Sequence, residues 1–579
     1  MSSVRCKTAV AAAAFWAASA GASAPIDHVD NFALLDQAGK YHDLYYLSDA
    51  KAVVLMTHDD ECAAVSDALP ALEQARTSYA GRGVEFLMIN TQDNREAVAA
   101  KIKASSIPVL LDDTHLVSES LQLTRAGEVL VIDPKGWKIA YRGPLDKAKA
   151  GNALLTGALD SVLAGQPVKQ PKVRVRGCAV KEAKATRAGA KVSYAEQIAP
   201  MLIDNCVTCH RTGGIGPWQM TNYEMIKGFA PMIREVVRTK RMPPWHADPH
   251  TGVWDGDRSL TVEEKQTLVH WIEAGSPRGK GADPLAELHK AWDEWAFGKP
   301  DMVIEVPAYD VPATGIVDYQ RYVVQNTLGR DVWVRATDIV PGDRAVVHHV
   351  IVGVYDPKIP DERMRMIKAS SPSLGAYVPG NGPTLYPQDT GVLVRKDQAF
   401  AFQVHYTVSG KAVRDATRFG LYLRDAAPTY EFKTVALANP NIKIPPNTKE
   451  HPETITQQFP RDMIIYRLTP HAHFRGRASQ FTAVYPDGRQ ELLLSVPKYD
   501  FNWQTSYTLK TPLQVPAGTK IVHSTVYDNS VQNPANPDPN RTVPWGEQSF
   551  DEMLYGVVQF RELTPVGADS VKVSSAGGK

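Results

Sequence analysis

The sequence predicts a multidomain protein with an α/β domain, an all-α domain and two all-β sandwiches, in that order. A chain of 579 residues is too long for one hydrophobic core. The spacing of its apolar residues also changes twice. Alternating strand and helix patterns give way to helical patterns near residue 190, and strand patterns dominate after about residue 300.

Residues 1–24 are typical of a secretory signal peptide. Basic residues precede an apolar run, and small residues follow in "AASAGASA". A membrane anchor is the alternative interpretation. Cleavage after Ala24 would leave Pro25 at a poor position, so cleavage after Ala20 fits at least as well. We therefore expect a periplasmic or secreted protein.

The composition argues against a nucleic-acid partner. The chain has 64 basic and 63 acidic residues, whereas nucleic-acid binders have a basic excess or a basic face. After the signal peptide, no apolar run reaches the roughly 18 residues of a membrane-spanning helix. We expect no transmembrane segment in the mature chain.

Residues 26–165 form the predicted α/β domain. Four apolar runs of strand length, "AVVLMTH", "VEFLMIN", "IPVLLDD" and "EVLVIDP", are separated by segments that include helical spacing. Cys62 stands just after the first strong strand. With this order of elements, the domain resembles the thioredoxin and peroxiredoxin-like (redoxin) fold.

The cysteine chemistry of those families is incomplete in this domain. Thioredoxins have a second cysteine where this chain has Val65, and peroxiredoxins have a threonine where it has Asp59. Cys62 is therefore either a redox thiol or a structural residue of a docking domain. Cys178 is the other cysteine left over in an oxidising compartment, so Cys62 and Cys178 could also form a disulfide.

A basic segment with Pro and Gly, residues 166–190, is the predicted linker. Residues 191–285 then have helical spacing and contain Cys206, Cys209 and His210 in "CVTCH". In an exported chain this motif indicates haem c, because the cysteines form thioethers and the histidine binds the iron. A zinc site is the alternative. The segment resembles a small class I-type cytochrome c.

The sixth iron ligand is predicted to be Met242. Its context, "KRMPPWHADP", is similar to the methionine loop of such cytochromes, and a thioether ligand raises the reduction potential. His246 is the second choice. The other methionines of the segment lie at helical spacing and are predicted core residues: Met220, Met225 and Met232.

Strand patterns fill the chain up to a flexible tail, residues 568–579. Runs such as "DVWVRATDIV" and "QAFAFQVHYTV" are strand-like, and turns such as "PDG" punctuate them. We predict two jelly-roll-type sandwiches, residues 300–427 and 428–567, with a boundary near "ALANPNIKIPPN".

Histidines cluster in these strands. His471 and His473 are two residues apart, so on a strand they share a face and can bind one metal. His348 and His349 are adjacent, so they share a metal only if the strand twists or one of them binds through its nearer ring nitrogen. His405 stands in "QVHY". Taken singly, each of these histidines is more often a core residue than a ligand.

The order of the motifs, HH, then QVHY, then HAH, then DEM, resembles the copper monooxygenase family of peptidylglycine α-hydroxylating and dopamine β-monooxygenases. The resemblance spans both sandwiches and implies two copper ions. The first ion relays electrons and is bound by His348, His349 and His405. The second ion binds oxygen at the place where a C–H bond is hydroxylated, and its ligands are His471, His473 and Met553. Imidazole suits copper, and the thioether selects Cu(I).

Two substrate-binding positions of the peptide-specific members differ in this chain. Their arginine and tyrosine, which bind the substrate carboxylate, correspond here to Thr469 and Val557. Peptide amidation is therefore not expected. The dense disulfides of the animal members are also missing, since no cysteine follows Cys209. His523 is predicted to be structural, with a place beside the second copper as the alternative.

The sequence thus predicts an exported copper monooxygenase that hydroxylates a small substrate with O2. The fused haem would supply the electrons, received from a cytochrome, a quinol-linked carrier or an ascorbate-like reductant. Two alternatives stay open. One is a copper- and haem-binding redox or sensing protein without turnover, and the other is a thiol oxidoreductase that acts through Cys62.

Overall fold

The structure is a computed structural model, which describes residues 26–91, 95–102, 105–145, 154–180, 192–289, 292–359 and 373–567. The predicted signal peptide and C-terminal tail lie outside these residues. In the part of the chain that is described, no helix is both long enough and apolar enough to cross a membrane.

The N-terminal domain is a mixed sheet packed against helices. Its elements are β1 Ala33–Leu35, β2 Tyr41–Asp43, β3 Ala52–His58, α1 Ala63–Tyr79, β4 Val84–Asn90, α2 Arg95–Lys101, β5 Val109–Leu111, α3 Leu116–Ser120, β6 Val129–Asp133, β7 Lys138–Gly143 and α4 Leu155–Leu163. The main sheet has the order β5-β4-β3-β6-β7. β3 pairs in parallel with β4, β4 in parallel with β5, and β6 antiparallel with β3. The central strand β3 is apolar along most of its length because both of its faces are buried.

The helical segment follows in the chain and packs around Trp271. It contains a π-helical turn at Tyr194–Ile198, then α5 Ala199–Asn205, α6 Tyr223–Arg238, β8 Trp254–Asp255 and α7 Val262–Glu273. The predicted capping box at the start of α7 is present: Thr261 accepts from the backbone of Glu264, whose side chain accepts from the Thr261 amide. Trp271 is fully buried in the core of this segment.

The first sandwich packs two antiparallel-rich sheets over a core of valine, phenylalanine and tyrosine. Its strands are β9 Met302–Glu305, β10 Tyr309–Val311, β11 Gln320–Gln325, β12 Val332–Val340, β13 Val347–Tyr355, β14 Ser373–Tyr377, β15 Thr384–Leu385, β16 Thr390–Val394, β17 Ala399–Tyr406, β18 Val413–Asp415, β19 Arg418–Leu423 and β20 Tyr430–Glu431. The sheet orders are β11-β17-β13-β14 and β20-β16-β12-β19-β9, with β15 on β12.

The second sandwich repeats this architecture and takes one strand from the helical segment. Its own strands are β21 Lys433–Ala438, β22 Lys443–Ile444, β23 His451–Gln458, β24 Met463–His471, β25 Gly476–Val484, β26 Gln490–Val496, β27 Tyr507–Val515, β28 Lys520–Tyr527, β29 Val543–Pro544 and β30 Tyr555–Glu562. The sheets have the orders β21-β30-β24-β27-β8 and β23-β28-β25-β26. Because β8 comes from the helical segment, that segment is joined to this sandwich by backbone hydrogen bonds.

Part of the predicted linker lies along the N-terminal domain. The Arg142 amide donates to the Pro171 carbonyl (2.8 Å), and the Val173 amide donates to the Arg142 carbonyl (2.9 Å). Further along, the Ala126 amide donates to the Cys178 carbonyl (3.0 Å). Residues 171–180, called the docked segment below, are therefore held on the domain by backbone pairing.

Candidate functional site

The first histidine group lies where β13 pairs with β17. His349 is paired with His405, but Val347 is paired with Tyr406, so β13 accommodates one extra residue, His348. Such a bulge breaks the alternation of side chains between the two faces of a strand. It therefore brings His348 and His349, which a regular strand would direct to opposite faces, together with His405.

These three imidazoles form a compact buried group, the first histidine cluster (His348, His349 and His405). One ring nitrogen of each lies within 4.8 Å of those of the other two. Burial lowers the pKa of His348 to about 3 and that of His405 to about 4, and the charge of His471 acts in the same direction. The rings are consequently neutral at physiological pH, which is the form of imidazole that binds a metal.

One ring nitrogen of each histidine in this cluster is left without a partner in the described part of the chain, while the Nδ1 atoms of His348 and His349 lie 3.3 Å apart. Among the described residues, His348 Nε2, His349 Nε2 and His405 Nδ1 are buried and have no hydrogen-bond partner. Buried polar atoms nearly always find one, so three in one cluster require an explanation. Three neutral imidazoles whose ring nitrogens lie this close together are what a bound cation would need.

The second histidine pair, His471 and His473, lies at the end of β24. Their ring centroids are 5.2 Å apart and the rings are perpendicular. His471 Nδ1 donates to Gln504 Oε1 (2.8 Å), and His473 Nδ1 donates to the Asp551 carbonyl (3.2 Å). Because both Nδ1 atoms carry the proton, both Nε2 atoms keep a free lone pair. His473 Nε2 is buried without a partner among the described residues.

Glu552 brings Met553 to this pair. One oxygen of its buried carboxylate accepts from the amides of His473 (2.8 Å) and Met553 (3.3 Å), and the other accepts from the Arg475 amide (2.6 Å). Burial raises the pKa of Glu552 to about 8 despite these donors. The start of β30 pairs Tyr555 with His471. The chain around Met553 is thus fixed beside the histidine pair from two sides.

Phe501 lies between the two histidine groups. Its ring stacks on His348 with a centroid distance of 4.7 Å and meets His473 edge-on at 5.7 Å. Phe501 comes from the loop between β26 and β27 of the second sandwich and is buried. One aromatic ring therefore contacts a member of each group, across the boundary between the sandwiches.

The "CVTCH" motif forms the turn after α5. Cys206 ends that helix, and both Cys206 and Cys209 are free thiols. His210 Nδ1 donates to the Trp218 carbonyl (2.9 Å), so its Nε2 keeps a lone pair. Burial raises the pKa of Cys206 to about 12. The two thiols are partly buried and the imidazole is buried, so the motif is shielded from solvent in part.

The candidate sixth ligands have different environments. Met242 follows α6 and is half-buried, whereas Met220 is buried in the core of the helical segment. Met232, predicted as a core residue, is instead exposed on α6 (48%), because it does not lie on the buried apolar face of that helix. His246 is buried, and burial lowers its pKa to about 4. Its Nε2 has no partner among the described residues.

Cys62 and Cys178 form a disulfide with a Cα–Cα distance of 5.9 Å, across 116 residues of sequence. Cys62 is the N-cap residue of α1 and is 1% exposed, whereas Cys178 is exposed at the end of the docked segment. Gly177 must be a glycine, because an added Cβ would lie 1.9 Å from the Ala126 carbonyl oxygen.

Three residues around the histidines carried no clear sequence signal. Gln504 and Phe501 lie in an irregular loop, and only the fold shows that they contact His471 and His348. Glu552 had a partial signal, since it stands in the DEM motif.

Thr469 donates to Ser506 and Val557 lies opposite it on β30, so neither forms a charged group there. His523 is fully buried between Phe481 and Ser479, within the second sandwich.

Comparisons with known proteins concern the N-terminal domain. A family model described as the AhpC/TSA family matches residues 25–142. This domain is therefore a thioredoxin-like redoxin domain, as the order of its strands and helices predicted. No curated protein matches the chain.

Several solved structures are similar over part of the chain. One is a hypothetical protein from Sinorhizobium meliloti 1021, with 24% identity, covering 28% of this chain and 98% of that chain, at a TM-score of 0.26. An uncharacterized conserved protein from Geobacillus kaustophilus has 26% identity, covering 28% and 94%, at a TM-score of 0.25. A secreted disulfide oxidoreductase from Mycobacterium tuberculosis has 15% identity, covering 23% and 95%, at a TM-score of 0.19.

Proposed function

We propose that this chain is an exported copper-dependent monooxygenase that hydroxylates a C–H bond of a small substrate with O2 and receives its electrons through a covalently attached haem. The observation that carries the proposal is the pair of buried histidine groups, both with unpartnered ring nitrogens, joined by Phe501. The hydrogen bonds that these rings do form leave His348 Nε2, His349 Nε2, His405 Nδ1 and His473 Nε2 unpartnered among the described residues.

Copper fits the donor set of both groups. The first histidine cluster offers three neutral imidazoles, and His471 and His473 with Met553 offer two imidazoles and a thioether, which selects Cu(I). When bound, copper supplies one-electron chemistry and the activation of O2. Gln504 and the Asp551 carbonyl hold the two imidazoles in the ligand tautomer, and the Phe501 ring packs between the groups.

Haem c fits the helical segment. Cys206 and Cys209 are available as thiols, and the hydrogen bond from His210 to the Trp218 carbonyl fixes the tautomer that an iron ligand needs. We take Met242 as the sixth ligand and His246 as the second choice. When bound, haem supplies a one-electron carrier.

The position of the motif supports an electron supply to the first histidine cluster. Arg258 of the helical segment donates to the carbonyl of Gly380, in the loop that follows β14 and its last residue, Tyr377. Tyr377 pairs with Val350, the residue that follows His349. The helical segment therefore contacts the sheet that carries the cluster, next to its ligands.

The substrate is proposed to be small and not a peptide carboxylate. Thr469 and Val557 occupy the positions where the resemblance would place the carboxylate-binding arginine and tyrosine. A threonine hydroxyl and an isopropyl group give no charge complement to a carboxylate. We place the protein in the periplasm or outside the cell, since residues 1–24 read as a signal peptide and disulfides persist in oxidising compartments.

The test is metal and cofactor analysis of the full chain, purified from a host that attaches haem c, followed by O2 uptake with a panel of small substrates. We expect one haem and two copper ions per chain, and O2 uptake coupled to the loss of one substrate. Zinc in place of copper would contradict the proposal. Copper and haem without substrate-coupled O2 uptake would favour the redox or sensing protein.

A second candidate function is thiol–disulfide exchange at Cys62. The disulfide with Cys178 and the redoxin fold of the domain favour it. Neither a second cysteine near α1 nor the peroxiredoxin threonine is present, so Cys178 would have to take the place of the missing partner. Replacing Cys62 by serine should abolish any disulfide reductase activity. Unchanged activity in that variant would exclude this function.

A further inference from the structure

The two cysteines of the Cys62–Cys178 disulfide differ in exposure. Cys62 is 1% exposed beneath the start of α1, and Cys178 is exposed on the docked segment. A thiolate attacks a disulfide sulfur in line with the bond that breaks, so access decides which sulfur is attacked. We therefore expect an external thiolate to attack at Cys178, because Cys62 is packed among the buried residues of the domain core.

The leaving group also favours this direction. Cys62 caps α1, a helix of 17 residues, and the amides of Val65 and Ser66 donate to its carbonyl. A thiolate at a helix N-terminus is stabilised by the helix dipole, which here offsets part of the cost of leaving a thiolate at a buried position. Cys178 has no helix behind it, since it lies in extended chain that pairs with residues 124–126.

The disulfide also holds the docked segment in place. Besides the pairing at Arg142, the segment accepts one hydrogen bond from Ala126 and donates one from Val180 to the Thr124 carbonyl (3.1 Å). The Arg125 side chain also donates to the Gly177 carbonyl (3.4 Å). Apart from the bond from the buried Ala126 amide, these bonds are at or near the surface, where water competes for them. The covalent link to Cys62 is therefore the strongest single constraint on the end of the segment that leads to the helical segment.

We propose that Cys178 is the entry point for an external dithiol reductant, that Cys62 is the thiolate it releases, and that the reaction frees the docked segment from the N-terminal domain. The proposal rests on the second candidate function above. A thiolate of the dithiol attacks Cys178 Sγ, the bond to Cys62 Sγ breaks, and Cys62 leaves with the electron pair. The second thiol of the reductant then attacks the mixed disulfide and releases Cys178. The dithiol loses two electrons and two protons, and Cys62 and Cys178 become two thiols.

The first experiment identifies the sulfur that is attacked. The oxidised full chain is treated briefly with glutathione, whose first attack gives a mixed disulfide, and acid quenching at early times preserves this adduct for location by mass spectrometry of the peptides. We expect the adduct on Cys178, with a free thiol on Cys62, to be at least about tenfold more abundant than the adduct on Cys62, because access controls the site of attack. An adduct mainly on Cys62 would overturn the assignment.

The second experiment follows release of the docked segment. Trypsin sites at Lys172, Arg174 and Arg176 are exposed, and their cleavage reports how often the segment leaves the domain. We expect cleavage to be at least about tenfold faster after reduction by a dithiol such as dithiothreitol, because proteolysis tracks the open population. Equal rates in the oxidised and reduced chains would show that the disulfide does not hold the segment.

A matched glycine pair separates docking from the sulfur chemistry. Gly177→Ala forces a Cβ against the Ala126 carbonyl, so it should release the segment and speed both cleavage and reduction. Gly81→Ala, in the same domain, has nothing within 4 Å of the added Cβ and should match the unaltered chain. If no dithiol reduces the disulfide at all, the second candidate function fails. If dithiols reduce it through Cys62, only the present proposal fails.

Discussion

Replacing Gln504 by leucine tests the second histidine pair without touching a proposed ligand. Gln504 Oε1 accepts from His471 Nδ1 at 2.8 Å, and leucine fills a similar volume but cannot accept. Without the acceptor, His471 divides between two tautomers, and only one presents Nε2. Losing such a partner costs about 10- to 100-fold in metal affinity. That range corresponds to about 1.4 to 2.8 kcal/mol of binding free energy.

The assay is competition for Cu(I) between the protein and a chromogenic chelator, under anaerobic conditions. We expect one copper of Gln504→Leu to bind 10- to 100-fold more weakly, and the copper at the first histidine cluster to keep its affinity. Gln559→Leu is the matched control, because Gln559 is buried to the same extent (7% exposed, as is Gln504) in the same sandwich, but its side chain bonds to Thr434 and to no histidine among the described residues. Gln504→Glu restores an acceptor and should recover most of the affinity.

Two results would refute this reasoning. If Gln504→Leu and Gln559→Leu weaken Cu(I) binding equally, the effect is a general loss of stability. If Gln504→Leu binds both copper ions as tightly as the unaltered chain, His471 is not a ligand whose orientation depends on Gln504. The unfolding midpoint of each variant in urea distinguishes loss of fold from loss of binding.

Three further predictions concern other parts of the molecule. Met553→Leu conserves volume, so the free energy of unfolding should change by less than about 1.5 kcal/mol. Cu(I) binding at the histidine pair should weaken, and substrate hydroxylation should be nearly lost. Hydroxylation at the unaltered rate would show that Met553 has only a packing role. Changing Cys206 and Cys209 to alanine should remove covalent haem from the absorption spectrum and slow turnover with a cytochrome-reducing donor, but spare turnover with ascorbate; equal rates with both donors would rule out the relay. His270 donates to Glu119 across the contact between the helical segment and the N-terminal domain, and this bond raises the pKa of His270. The stabilisation, up to about 1 kcal/mol for a pair this exposed, should be complete below about pH 6.5, the unfolded pKa, and should disappear as the pH rises through the higher folded pKa. The difference in Tm between the unaltered chain and His270→Gln should therefore shrink between about pH 6 and pH 8, and a constant difference would contradict it.

Local patterns in the sequence were enough to predict the fold class. Apolar runs of strand length and helical spacing are properties of neighbouring residues, so the α/β domain, the helical segment and the strand-rich remainder could be predicted from them. The redoxin fold of the first domain is confirmed by the AhpC/TSA match to residues 25–142. The capping box at Thr261 and Glu264 is a signal within one turn, and it is present as predicted.

The sequence singled out the histidines but not how they meet. His348 and His349 share a cluster because β13 has a bulge opposite β17, and a bulge depends on the register between two strands about 55 residues apart in the chain. No local pattern specifies that register. The sequence likewise did not predict the contacts of Gln504 and Phe501, or that Glu552 places Met553. Each of these residues acts through a contact that forms only in the folded chain.

By itself, the sequence determined the thioredoxin-like first domain and the strand-rich last part of the chain, and it predicted which residues would bind metal and haem, because residue type and periodicity are local. Only the tertiary structure decided that Cys62 and Cys178 pair across 116 residues. It also decided that β8 of the helical segment joins a sheet of the second sandwich, and that a single ring, Phe501, contacts both histidine groups. These are contacts between residues distant in the chain. They form when elements that are far apart in the chain pack against each other, and no local sequence pattern specifies that packing.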